Sequence, residues 1–138
     1  MAGDASPGAF RTYDLAQERK EPCAKEPAAH QHEALAKLDQ WYATKPFPEA
    51  GGILVLPTGA GKTFTAVRFL CRRALSEGYK VLWLAHTHHL LEQAFLCFGD
   101  GVGLIAEPAA SLAVRVVSGT VGHFRVHQIE PTDQVVVA

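Results

Sequence analysis

The chain alternates between segments whose apolar residues recur every three to four positions and short segments that are apolar throughout. The first pattern is typical of amphipathic helices, and the second, between turn residues, is typical of strands buried on both faces of a parallel sheet. The predicted order is helix 28–42, strand 53–56, helix 62–77, strand 81–85, helix 88–98, strand 114–117 and strand 135–137. This order favours an α/β fold with a mainly parallel sheet flanked by helices.

The first 26 residues lack such periodicity and mix glycine, proline, alanine and charged residues. They are predicted to form a flexible N-terminal arm, within which residues 15–20 can form a short helix. Residues 27–138 are then expected to form the folded domain.

Composition narrows the class of protein. With 138 residues, 48% apolar and 20% charged, the chain can form one globular domain. The net charge of −1 gives no basic surface overall, so binding to nucleic acid has to rest on local motifs. No apolar run approaches the roughly 18 residues of a membrane span, and the N-terminus lacks the pattern of a signal peptide. With three scattered cysteines, which indicate reduced thiols, these features predict a cytoplasmic protein without membrane contact.

The strongest chemical motif is Pro-Thr-Gly-Ala-Gly-Lys-Thr at residues 57–63, between a predicted strand and a predicted helix. Glycines let the backbone approach phosphate closely, and the N-terminus of the following helix favours an anion. Lys62 is predicted to reach the β and γ phosphates of a nucleotide, and Thr63 to bind its Mg²⁺. The other predicted binding residues of this loop are Pro57, Thr58, Gly59, Ala60 and Gly61. The strict P-loop pattern has a glycine where this chain has Leu56, and the alternative is an ordinary glycine turn before a helix.

Three segments in order resemble the superfamily-2 helicases. They are His-Gln-His-Glu-Ala-Leu at 30–35, Leu-Pro-Thr-Gly-Ala-Gly-Lys-Thr at 56–63, and Val-Leu-Trp-Leu-Ala-His at 81–86 followed by Leu-Leu-Glu-Gln-Ala at 90–94. The closest resemblance is to the branch with type III restriction-enzyme helicase subunits and excision-repair helicases. It implies a partial RecA-like P-loop NTPase domain of the DEAD/DEAH type, with ATP and Mg²⁺ as cofactors and nucleic acid, expected to be DNA, as partner.

The resemblance also implies roles outside the loop. Gln31 would contact the adenine base, which agrees with its being a polar residue on the inward stripe of its helix and with the paired donor and acceptor of its amide. The alternative is that Gln31 caps a neighbouring loop. His86 and Thr87 would contact the nucleic-acid backbone. Thr87 stands where an arginine is common and brings no charge, and its alternative role is to cap a helix.

The family's acidic motif is not found in the sequence. A helicase ATPase uses an Asp-Glu pair after a later strand to hold Mg²⁺ and orient water. No such pair follows an apolar run in this chain. Residues 27–138 are therefore expected to be an incomplete first motor domain that stops before motif II and binds ATP without hydrolysing it. The alternatives are a non-catalytic or degenerate nucleotide-binding module and another P-loop enzyme such as a kinase.

Overall fold

A computed structural model describes residues 7–23, 25–44 and 51–138. The helices of these residues are α1 (Leu15–Glu18), α2 (Ala29–Ala43), α3 (Lys62–Leu70) and α4 (His88–Gly101). The strands are β1 (Phe10–Asp14), β2 (Val81–Trp83), β3 (Ser111–Val116) and β4 (Val135–Val137). A π-helical segment, Cys71–Leu75, continues α3, and short 3₁₀ turns cover Pro7–Ala9, Val102–Leu104 and Val126–Gln128.

The four strands form one mixed sheet in the order β1-β3-β4-β2. Strand β4 lies between β3 and β2 and is parallel to both, whereas β1 pairs with β3 in the antiparallel direction. Val114 faces Val135 and Val116 faces Val137 across the central pair, and all four side chains are fully buried. The prediction of an α/β fold with a mainly parallel sheet flanked by helices is confirmed.

Helix α4 covers the sheet with the apolar face that the sequence predicts. Leu91, Ala94, Phe95 and Phe98 are all buried. The Phe98 ring meets Trp83 of β2 edge to face, with the ring centroids 5.7 Å apart. Burying a side chain of this size contributes on the order of 2–3 kcal/mol to stability. The contact of Phe98 therefore holds α4 against the sheet.

Helix α2 packs on α3 through a separate apolar cluster made of Leu35, Tyr42 and Phe69. The Tyr42 and Phe69 rings meet edge to face, with their centroids 5.6 Å apart, so Phe69 is buried against α2. Around this cluster, Arg73 Nε lies 2.8 Å from Asp39 Oδ1, and the Tyr42 hydroxyl donates to Glu77. These contacts hold α2 in place against α3.

The flexible-arm prediction is wrong for residues 10–14, which form strand β1. All five residues pair with β3, and Tyr13 and the following Leu15 are buried. The Arg19 guanidinium reinforces the attachment, because it donates to the carbonyls of Ile105, at 2.8 Å, and Ala109. The partners of Arg19 lie 86 and 90 positions further along the chain, and those of β1 about a hundred, so a local pattern could not reveal them. The short helix near residue 15 is confirmed as α1.

The prediction of a buried strand at residues 53–56 is also wrong. This segment pairs with no strand among the described residues, and Ile53 and Val55 are 92% and 81% exposed. Strand β2 is present where predicted, but it forms an edge of the sheet. Leu82 in this strand is 64% exposed, and Leu84, just after the strand, is 71% exposed. A strand is buried on both faces only when partners and covering helices surround it, which an apolar run cannot specify.

The remaining predicted elements are confirmed with small changes of boundary. The helix expected at 62–77 is α3 with its π-helical continuation, and the strand expected at 114–117 begins three residues earlier, at Ser111. Strand β4 covers the predicted residues. Over the described part of the chain, no helix combines the length and the apolar character that a membrane crossing requires.

Candidate functional site

The loop at residues 57–61 makes a tight turn that leads directly into α3. The Ala60 amide donates to the Pro57 carbonyl at 3.0 Å, which closes the turn. Gly59 and Gly61 have φ angles of +78° and +77°, a region that residues with a side chain rarely adopt. Gly61 is the N-cap residue of α3, and the amide groups of the first helical turn lack partners within the helix. This geometry provides several N–H donors for an anion.

The loop opens on a cleft of about 740 Å³ between α3 and α4. Five of the loop residues predicted from the sequence line it, namely Thr58, Gly59, Gly61, Lys62 and Thr63. Pro57 and Ala60 belong to the same loop but do not line the cleft. The structure therefore brings the predicted cation, the predicted hydroxyl and the two left-handed glycines to one cavity.

The charge of the cleft favours an anion. The Lys62 side chain is exposed, and its Nζ lies 3.4 Å from the Pro57 carbonyl. Lys25 and Arg68 also line the cleft, and both pack against the Phe64 ring, with Lys25 Nζ 4.8 Å and Arg68 Cζ 5.4 Å from its centroid. Among the described lining residues Asp100 is the one carboxylate against these three cations. Opposite charges across a partly enclosed cleft attract more strongly than in bulk water.

Gln31 contacts the loop from outside the cleft. Its Oε1 accepts from the Ala28 amide at 2.8 Å, at the start of α2, and its Nε2 donates to the Ala60 carbonyl at 2.9 Å. A Cβ on Gly61 would lie 2.3 Å from Gln31 Nε2, so the glutamine packs directly on the loop. The structure thus shows Gln31 capping a neighbouring loop, which was the alternative to base contact. One amide hydrogen and one oxygen lone pair are left over from these two bonds.

His30 is a residue that sequence reasoning did not single out. Its Nε2 lies 3.0 Å from the carbonyl oxygen of Ala60, which also accepts from Gln31. His30 is exposed and follows no apolar periodicity. The signal that could have identified His30 was its position next to Gln31, in the segment that carries the helicase resemblance.

His86 and Thr87 lie apart from the phosphate loop. Both side chains are exposed, and neither lines the cleft. The Thr87 hydroxyl oxygen accepts from the Leu90 amide at 3.3 Å, which makes Thr87 the N-cap of α4. The capping alternative is therefore confirmed for Thr87, while contact with nucleic acid stays a prediction.

Cys71 is buried in the core, and Cys97 of α4 is half-buried against it. Burial raises the pKa of the Cys71 thiol to about 12 and that of Cys97 to about 11. Both are therefore neutral thiols near pH 7. Cys97 lines the cleft together with the exposed Cys23.

Comparison with known proteins decides the family. The sequence model of the family described as "Type III restriction enzyme, res subunit" matches residues 24–109. The chain belongs to this family. The match includes β2 and the elements that build the site, namely α2, the phosphate loop, α3 and α4. No curated protein and no solved structure matches the chain.

Membership in the res-subunit family confirms the resemblance to superfamily-2 helicases. The family is one of helicase-like ATPases, whose members typically use ATP and Mg²⁺ and have nucleotide and nucleic-acid partners. The residues of this chain that would perform those tasks are inferred from its structure.

Proposed function

We propose that the chain binds ATP·Mg²⁺ at residues 57–63 and serves as the nucleotide-binding part of a nucleic-acid-dependent ATPase. The observation that carries the proposal is the turn with two left-handed glycines at the N-terminus of α3, which opens on a cleft lined by Lys62 and two further cations. The test is calorimetric titration of ATP into the chain in the presence of Mg²⁺, in which saturable binding is expected.

Gly61, Lys62 and Thr63 have defined tasks in this proposal. The amides of Gly61, Lys62 and Thr63 donate to phosphate oxygens at the positive end of the helix. The Lys62 ammonium neutralises charge at the β and γ phosphates, and the Thr63 hydroxyl is a ligand for Mg²⁺. The bound Mg²⁺ supplies further neutralisation of the phosphate charge.

The geometry of Gln31 supports a preference for adenine. Its amide cannot turn over without breaking its bonds to the Ala28 amide and the Ala60 carbonyl, so its remaining donor and acceptor keep fixed directions. Adenine offers a matching pair in its N7 acceptor and N6 donor, whereas guanine offers two acceptors, N7 and O6.

We expect ATP to bind more tightly than GTP, by about five- to twentyfold, and Gln31→Ala to bring the ratio close to one. The variant also loses a contact with the loop, so its affinity for both nucleotides falls, and the ratio is the informative quantity. Competition titrations measure it. Gln40→Ala, on the same helix and exposed, is the matched control and should keep the wild-type ratio. An unchanged ratio in Gln31→Ala would show that the glutamine is purely structural.

We expect the 138-residue chain to bind ATP without measurable phosphate release. Hydrolysis needs a group that orients the attacking water, and the Asp-Glu pair of the family is missing from the sequence. Glu92, Glu107, Glu130 and Asp133 do not line the cleft, and Asp133 is held by Arg115. A phosphate-release assay with the Lys62→Ala variant as blank is the measurement. Release that depends on Lys62 would contradict the expectation, and Asp100→Asn would then test the one carboxylate at the cleft.

A passive nucleotide-binding module, which never hydrolyses ATP, is the second candidate function, and it is favoured by Thr87, which caps α4 and brings no charge to a nucleic-acid strand. The two candidates differ in their response to nucleic acid. In the motor, His86 and Thr87 would contact a bound strand, which we propose to be DNA. ATP affinity would then change when single-stranded DNA is added, because the binding of one ligand to a motor domain changes its affinity for the other. In the passive module it would stay constant.

A further inference from the structure

We propose that His30 is a positioning residue of the phosphate loop, which with Gln31 holds the Ala60 carbonyl away from the bound phosphates. The inference rests on the proposed binding of ATP at residues 57–63. Its basis is that two side chains from the first turn of α2 approach one carbonyl oxygen, His30 Nε2 at 3.0 Å and Gln31 Nε2 at 2.9 Å.

The peptide that joins Ala60 to Gly61 explains why this carbonyl matters. In a trans peptide the C=O and the N–H point in opposite directions. The Ala60 carbonyl faces α2, and Ala60 does not line the cleft, whereas Gly61 does. Holding the Ala60 oxygen against α2 therefore directs the Gly61 N–H towards the cleft, where a phosphate oxygen would accept it.

Without such a restraint this peptide can turn over. Gly59 and Gly61 flank Ala60, and glycine populates left-handed and right-handed backbone regions about equally. A turned peptide would point the Ala60 oxygen into the cleft, where a carbonyl dipole repels an anion, and would withdraw the Gly61 donor. The two bonds from α2 oppose this turn, and a carbonyl oxygen has two lone pairs, so it can accept both.

The helix that carries the two donors is itself fixed. At its far end α2 is tied to the π-helical continuation of α3 by the Asp39–Arg73 ion pair and to the turn that follows it by the Tyr42–Glu77 hydrogen bond. His30 and Gln31 are thus held at one place relative to the N-terminus of α3. An acceptor carbonyl at 3.0 Å requires a proton on His30 Nε2, so the ring is in the Nε2–H tautomer or is protonated.

The experiment compares His30→Phe, which keeps a ring but has no donor, with His30→Gln, which restores one. We expect ATP·Mg²⁺ affinity to fall about five- to tenfold in His30→Phe, which is the effect of one hydrogen bond, and to recover to within about threefold of wild type in His30→Gln. His32→Phe, exposed on the same helix, is the matched control and should bind as wild type does. His30→Ala serves as a second donor-free variant if the phenylalanine disturbs folding.

A second measurement separates positioning from general stability. In spectra of ¹⁵N-labelled protein the Gly61 amide resonance should shift when ATP·Mg²⁺ is added to wild type, and this shift should shrink in His30→Phe. The urea midpoint of the ligand-free chain should be the same in both, since His30 is exposed and buries no core surface.

Three outcomes would overturn the inference: wild-type affinity in His30→Phe, an equal loss in His32→Phe, or a lowered urea midpoint that accounts for the loss of binding. The Lys62→Ala variant, measured in parallel, keeps the two proposals apart. If Lys62→Ala fails to bind while His30→Phe binds normally, the inference on His30 is wrong and the proposed function stands. If Lys62→Ala binds ATP as tightly as wild type, the proposed function is wrong.

Discussion

Replacing Lys62 with alanine should reduce the affinity for ATP·Mg²⁺ on the order of a hundredfold. Lys62 combines a position at the start of α3, an exposed ammonium and a place on the cleft wall. Hydrogen bonds from a charged donor to phosphate contribute about 1.5–3 kcal/mol, and 1.4 kcal/mol is a factor of ten in affinity. Calorimetric titration of ATP into wild type and variant measures the difference.

Lys37→Ala is the matched control for this loss. Lys37 lies on the surface of α2, where it forms an exposed ion pair with Glu33 at 3.0 Å, away from the cleft. Lys37→Ala removes one positive charge, as Lys62→Ala does, so it reports any effect of net charge on binding. Equal affinities of wild type and Lys62→Ala would contradict the assignment of residues 57–63 as a phosphate site.

Replacing Asp133 with alanine should destabilise the fold by about 3–5 kcal/mol, the usual effect of leaving a buried charge without its partner. Asp133 accepts two hydrogen bonds from the Arg115 guanidinium, at 2.6 Å and 3.2 Å, and its side chain is 1% exposed. The same guanidinium packs against the rings of Phe10 and Phe124, with distances of 4.3 Å and 4.5 Å to their centroids. Urea denaturation measures the free energy of unfolding.

The exposed Glu33–Lys37 ion pair on α2 provides the control for this loss of stability. Glu33→Ala removes one partner of an ion pair in solvent and should leave the free energy of unfolding almost unchanged. Arg115→Met combined with Asp133→Leu should recover much of the stability, because no charge is then buried alone. If Asp133→Ala is as mild as Glu33→Ala, the pair does not hold the sheet together.

The sequence predicted the parts of the fold whose structure depends on near neighbours. The stripe of α4 and the cap at Thr87 involve residues within four positions of one another, and both are confirmed. The phosphate loop is equally local, since its turn and its glycine conformations lie within a few residues. Strand β1 was missed because its partner, β3, lies about a hundred positions away.

The prediction for residues 53–56 was wrong for a related reason. Their apolar character is the same in a central strand and in an unpaired segment, and the partner decides between the two. At the site, the residue types of the loop were predictable from the motif. The bond from His30 to Ala60 was not, because it depends on how α2 packs against α3.

Strand β2 has a consequence for the behaviour of the protein at high concentration. It lies at the edge of the sheet, and residues 81–85 contain no charged residue that would keep another strand away. The neighbouring Lys80 could play that part, but its ammonium donates to the Pro131 carbonyl. Exposed, uncharged edges of this kind are templates on which further chains add by backbone pairing. Turbidity that begins at a threshold concentration would originate at this edge, and a lysine at Leu82 or Leu84 would raise the threshold.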